Sequence, residues 1–367
     1  MKIAKINVSG MYQMKNGTKG KDTISIKEKW NIVDAKGGAD LITIRGNNNG
    51  VHGGAGNDVI KIFAGSTHAV SGDTGNDKIY LEKGTKNKMA VYGGAGKDKI
   101  FIKSGNEHFI LGESGNDTIT VSGGKKHWII GGNGNDKIVL DRGTKNGAHI
   151  EGDGIGNAAS GLEKGHDTLV VNAGGGHLIE GGFGNDKITI NKGVGNSVKV
   201  YGDMAQFDVD PFKNQVITGN DTITVNAGSK HVIVTGEGKD KVFINQGAGS
   251  SLVVQTGNGN DQVTISGGAG KVYLGEGTDS ITFNWNNRIG KYSLSSGDIV
   301  KDGLLKINNV ASTNFSFRSL GDMLIIDSLN SNGEIDIYGW SNNVFYSGIK
   351  FKDKTLSHDE ISKKAGL

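Results

Sequence analysis

An all-β fold, a parallel β-roll or β-solenoid of about 19 residues per coil, follows from three features of this chain. The first is a glycine-rich motif that returns at a fixed period, as in Gly53-Gly54-Ala55-Gly56-Asn57-Asp58-Val59-Ile60-Lys61 and Gly131-Gly132-Asn133-Gly134-Asn135-Asp136-Lys137-Ile138-Val139. The second is a pair of aliphatic ladders in constant register with that motif. The third is composition: 62 glycines in 367 residues, one proline and no Gly-X-Y period, which exclude collagen. The fixed register of Ile and Val excludes a flexible linker.

Taken in order, residues 1–16 read as an N-terminal cap strand, 17–300 as the roll, and 301–367 as a small C-terminal β cap. The motif aspartates are Asp22, Asp40, Asp58, Asp77, Asp98, Asp117, Asp136, Asp167, Asp186, Asp221, Asp240, Asp261, Asp279 and Asp298. Most steps run from 18 residues (Asp22 to Asp40) to 21 (Asp77 to Asp98). The longer steps to Asp167 and Asp221 place insertions at 153–166 and 203–219. Two residues after each aspartate stands an aliphatic residue, from Ile24 through Ile60 and Leu169 to Ile281 and Val300. Alternation from there describes a short strand with one face inward. Seven residues before the aspartate runs a second ladder, including Val33, Val51, Val70, Val91, Ile110, Ile129, Ile179, Ile233, Val254 and Val272. Each coil therefore holds two strands and two turns, stacked at about 4.8 Å.

Glycine allows positive φ, so the motif turn can curl its carbonyls inward. Stacking then brings each aspartate near the next, and two carboxylates about 5 Å apart repel by about 3 kcal/mol at an effective dielectric near 20. A cation between coils relieves that. A single Asn-Asp pair would read as a self-capping turn, but its repetition in register favours a row of cation sites. Oxygen-only ligands suit a hard ion, and calcium accepts irregular geometry better than magnesium. Acids beside the glycines, at Asp73, Glu113, Asp153, Asp203, Glu237 and Glu276, would add charge.

These motifs resemble the RTX, or hemolysin-type, calcium-binding repeats over roughly residues 17–300. The segments Asp322–Ile326, Ile335–Trp340 and Ile349–Leu356 are similar to the region that follows such repeats. The resemblance implies a parallel β-roll, roughly ten calcium ions bound between turns, and export through a type I secretion system. Carried over residue by residue, the metal-binding aspartates are Asp58, Asp77, Asp98, Asp117, Asp136, Asp167, Asp186, Asp221, Asp240, Asp261 and Asp279. The accompanying turn glycines are Gly54, Gly56, Gly94, Gly96, Gly132, Gly134, Gly182 and Gly184. Here the motif occurs once per coil, so calcium is expected along one edge only. The chain is also basic, with a net charge of +3, where such proteins are usually acidic.

The remaining features bound the function. Without cysteine there is neither a disulfide framework nor a thiolate site. No 18-residue apolar stretch and no apolar signal segment after Met1 are present, so secretion without a cleaved N-terminal signal is the expectation. Histidines nine residues before the aspartate (His68, His108, His127, His177, His231) read as turn-edge hydrogen-bonders, with a transition-metal ladder as the alternative. Outward Lys61, Lys78, Lys99, Lys137, Lys187 and Lys241 read as a solvated face, or as a contact for anionic polysaccharide or a cell surface. No aromatic interleaving suggests nucleic acid. The outward row Thr43, Lys61, Tyr80, Phe101, Thr120, Val139 is too mixed for an ice-matching lattice. The second insertion offers a candidate ligand loop at Phe207, Asp208, Asp210 and Phe212. No catalytic signature is present. The expectation is a secreted calcium-binding roll that folds on calcium, with a surface adhesin or a non-catalytic module of polysaccharide-active or toxin proteins as alternatives.

Overall fold

A computed structural model describes residues 3–154, 165–203, 219–296, 305–340 and 348–367. The chain forms two units, Met1–Phe183 and Gly184–Leu367, and each is a parallel β-solenoid of about 19 residues per coil. In the first unit, strands that follow the aspartate pair in register, with Ile60 beside Ile79, then Ile100, Ile119, Ile138 and Leu169. Strands that precede the glycine turn pair likewise, with Val70 beside Val91, Ile110, Ile129, Ile150 and Ile179. All these side chains are buried. Both sequence ladders thus form the core, each aliphatic side chain contributing about 1.5–3 kcal/mol of burial and β-branching suiting the pleated stack. Residues 4–16 already follow this register, with Ala4 beside Asp22 and Met14 beside Ile32. The outward row also runs as read, Thr43 beside Lys61, Tyr80, Phe101 and Thr120.

In the second unit the first ladder runs Ile188, Ile223, Val242, Val263, Ile281. Strands Gly268–Leu274, Ile289–Ser296 and Glu334–Ile337 continue the parallel pattern. Phe315–Leu320 and Met323–Ser328 then add antiparallel strands, and Gly348–Lys350 and Thr355–Ser357 form a hairpin. Larger rings replace the aliphatic ladder here, with Phe283, Trp285, Tyr292 and Phe315 in edge and tilted contacts. The helix α1 (His358–Ala365) closes the chain, an addition to the expected β cap. Ser357 Oγ accepts from Glu360 N–H while the Glu360 carboxylate accepts from Ser357 N–H, a capping box.

Candidate metal centre along the aspartate edge

Along the described ladder beyond Asp22, the two oxygens of a motif aspartate have different tasks. Oδ1 accepts the backbone N–H of the aspartate one coil earlier, at 2.6–2.8 Å throughout: Asp40 to Asp58, to Asp77, to Asp98, to Asp117, to Asp136 in the first unit. Asp186, Asp221, Asp240, Asp261 and Asp279 repeat this in the second. The preceding Asn works in the other direction, as Asn57 Oδ1 accepts from Asn76 N–H and Asn116 from Asn135. So Asn-Asp does cap backbone, but between coils rather than within its own turn.

Oδ2 is different. In Asp58, Asp77, Asp98, Asp117, Asp136, Asp221 and Asp279 it is buried and meets no donor among the described residues. A buried acceptor without a partner costs about 1–3 kcal/mol, more when charged. At the start of the ladder Asp22 escapes this cost, because Thr18 donates its N–H to Oδ2 and its hydroxyl to Oδ1.

What faces Oδ2 is oxygen. A methyl group on Gly53 would lie 2.7 Å from Asp58 Oδ2 and 2.7 Å from the Gly72 carbonyl of the next coil. On Gly93 it would lie 2.7 Å from Asp98 Oδ2 and 2.6 Å from the Gly112 carbonyl. Gly72, Gly112, Gly131, Gly152 and Gly202 repeat the arrangement with Asp77, Asp117, Asp136, Asp167 and Asp221. The first glycine of the motif therefore leaves a small cradle lined by a carboxylate oxygen and a carbonyl oxygen. Other positions fill it: Ala35 before Asp40, Thr235 before Asp240, Thr256 before Asp261 and Leu274 before Asp279, all buried. The second and third glycines serve the turn itself. Gly54, Gly56, Gly94, Gly96, Gly132, Gly134, Gly182 and Gly184 all have φ between 91° and 143°, and the third-glycine carbonyl of one turn lies against the third glycine of the next. No three carboxylate or imidazole side chains converge among the described residues. A hard cation at this edge would thus take most ligands from the backbone.

Burial raises the aspartates out of their usual range, and at most of them neighbouring carboxylates add to it. Asp58, Asp240 and Asp279 are pushed up to about 6, Asp77, Asp117, Asp167 and Asp261 to about 7, Asp221 to about 8 and Asp136 to about 9. Asp153 and Asp203, which the sequence marks only as extra acids, join this set at about 8. Asp153 Oδ2 accepts from Phe183 N–H and Asp203 Oδ2 from Glu237 N–H, while Asp203 Oδ1 is buried with no donor among the described residues. Both flank an insertion. Their signal in the sequence is an acid at the second motif position, where most turns carry glycine.

At the opposite edge both ring nitrogens of each histidine are engaged. Nδ1 of His68, His108, His127, His177 and His231 accepts a backbone N–H of the previous coil at 3.1–3.3 Å. Nε2 faces the carbonyl four residues earlier at 3.0–3.3 Å. That pairing fixes the neutral Nε2–H tautomer and leaves no lone pair for a metal, so the hydrogen-bonding reading of these histidines holds. Asn31 and Asn49 do the same work with a side-chain oxygen. His127→Asn is accordingly expected to fold with little loss, whereas His127→Leu strands the His108 N–H and loses about 1–3 kcal/mol in denaturant unfolding.

The outward lysines lie on the strands as expected, Lys78 directly beside Lys99, and Lys61 sits over the Tyr80 ring at 5.7 Å. Phe207, Asp208, Asp210, Phe212, Asp298 and Val300 lie outside the described residues. No helix among the described residues is long and apolar enough to cross a membrane. No known family model matches the chain, and no curated protein matches it. Among solved structures, the crystal structure of a hyperactive, Ca2+-dependent, β-helical antifreeze protein from an Antarctic bacterium is similar at 18% identity, covering 97% of this chain and 94% of that one with a TM-score of 0.49.

Proposed function

We propose that this chain is a calcium-binding β-roll of the RTX kind, holding calcium between coils at the turns that begin with glycine. The observation that carries the reading is the column of buried Asp Oδ2 atoms that face carbonyl oxygens and meet no donor. Asp58, Asp77, Asp98, Asp117, Asp136, Asp167 and Asp221, with Asp186 by its motif Gly181, are the carboxylates we assign. Asp240, Asp261 and Asp279 continue the ladder of the second unit, but a Thr or Leu side chain takes the cradle beside them. The ion count then falls below the ten expected from the motif alone.

Calcium would supply positive charge to a row of carboxylates that otherwise repel. A chain kept loose at low cytosolic calcium and folded at millimolar calcium outside fits export before folding. Calcium added to EGTA-dialysed protein at pH 7.5 is expected to give heat of binding and a parallel gain of β circular dichroism, with magnesium failing to replace it. A fully ordered roll that takes up no calcium would overturn the reading.

A further inference from the structure

We infer a ligand site on the outer face of the second unit that takes one six-membered sugar ring bearing a carboxylate. Strands Gly268–Leu274, Ile289–Ser296 and Glu334–Ile337 lie side by side. Their alternate residues Val272, Tyr292, Leu294, Ile335 and Ile337 are buried in the core, and the residues between them lie on the other face, where Asp336 is also covered. Two outward rows result. In one, Lys271 stands beside Ser293 and Ser293 beside Asp336. In the other, Tyr273 stands beside Ser295, and Tyr338 extends the third strand by donating its N–H to the Leu294 carbonyl at 3.1 Å. Lys271, Tyr273, Ser293, Ser295 and Tyr338 line a cleft of about 260 Å³.

The shape follows from the side chains. The small serines on the middle strand make a floor, and the two tyrosines rise from flanking strands about 10 Å apart. The volume lies below the roughly 300–1,000 Å³ of drug-sized pockets, which suits a single ring. Tyrosine offers a flat apolar face with a polar tip, and serine hydroxyls both donate and accept. That mixture matches a saturated ring with hydroxyls on its edge. Charge then sets the class. Lys291 is taken by Glu334 and by Asp336, the latter at 2.7 Å, whereas Lys271 has no carboxylate partner among the described residues. An anionic group on the ligand would meet Lys271 at the flank of the cleft. The site uses no residue of the aspartate edge, so it stands or falls apart from the calcium reading.

The test is calorimetric titration of the full chain in calcium-containing buffer with methyl glucuronide, its neutral methyl glucoside and adenosine monophosphate. Saturable binding of the glucuronide is expected, at least about tenfold tighter than the glucoside, the equivalent of one good ion pair. Lys271→Met should erase that preference and leave the glucoside unchanged, and Tyr273→Ala should abolish both, with circular dichroism unaltered. No saturable binding, affinity indifferent to Lys271→Met and Tyr273→Ala, or tighter binding of the nucleotide than of the glucuronide would each overturn the assignment.

Discussion

Stripped of calcium, the protein is expected to lose its β structure above about pH 7 and to recover it on acidification to about pH 5–6. The sign follows from the carboxylates. Those at the aspartate edge are raised in the folded state to between about 6 and 9, by burial first. An acid whose folded pKa is raised stabilises the fold fully below the unfolded value near 4, and that contribution disappears as pH rises through the folded value. Each pH unit of displacement is worth about 1.4 kcal/mol per group. Over so many groups, even heavily discounted for their coupling, this is comparable to the roughly 5–15 kcal/mol stability of a typical domain. The histidines act oppositely. Burial lowers their pKa, with His127 pushed down to about 4, so their contribution is present above the ordinary value near 6.5 and is lost as pH falls. The metal-free optimum therefore sits between the two, while the calcium-loaded roll should be indifferent to pH from about 6 to 9. Circular dichroism across pH with EGTA and with calcium reads both curves. A metal-free protein as ordered at pH 8 as at pH 5.5 would refute the account.

Much of this fold is written into the spacing of the chain. The ladders at two residues after and seven before the aspartate are visible because a coil repeats its own chemistry, so Ile100 announces Ile119 and Ile138 before any pairing is known. The meaning of a position inside the motif is harder to read. Gly53 and Ala35 occupy equivalent places, but that a methyl there closes an oxygen-lined cradle depends on the carbonyl of the next coil. The role of His68 or His127 likewise rests on a backbone N–H of the neighbouring coil, 19 residues away. The cleft could not be read at all. It joins Tyr273 and Ser295, at the end of the repeat, to Tyr338 beyond it, brought together only after Phe315–Leu320 and Met323–Ser328 intervene.

Asp136→Asn should reverse its effect on stability with calcium. In the wild type, Asp136 Oδ1 accepts from Asp117 N–H at 2.6 Å, and a methyl on Gly131 would lie 2.5 Å from both Asp136 Oδ2 and the Gly152 carbonyl. Asparagine keeps the Oδ1 acceptor and replaces Oδ2 by an NH₂ group, a donor set against a carbonyl. Without calcium the substitution spares the fold the cost of protonating a carboxylate whose charged form burial and the neighbours Asp167, Asp117 and Asp153 disfavour. A gain of about 1–3 kcal/mol at pH 6, where the metal-free roll is ordered, is the expectation. With calcium the same change removes a carboxylate ligand and turns two N–H bonds toward the cation, with an expected loss of about 3 kcal/mol or more. Asp22→Asn serves as the control, since Thr18 already satisfies both oxygens there; it should show no such inversion. Guanidinium unfolding of both variants, each with EGTA and with calcium, measures the four values. Equal destabilisation by Asp136→Asn in the two conditions would mean that the aspartate is only a turn cap and that no cation uses its free oxygen.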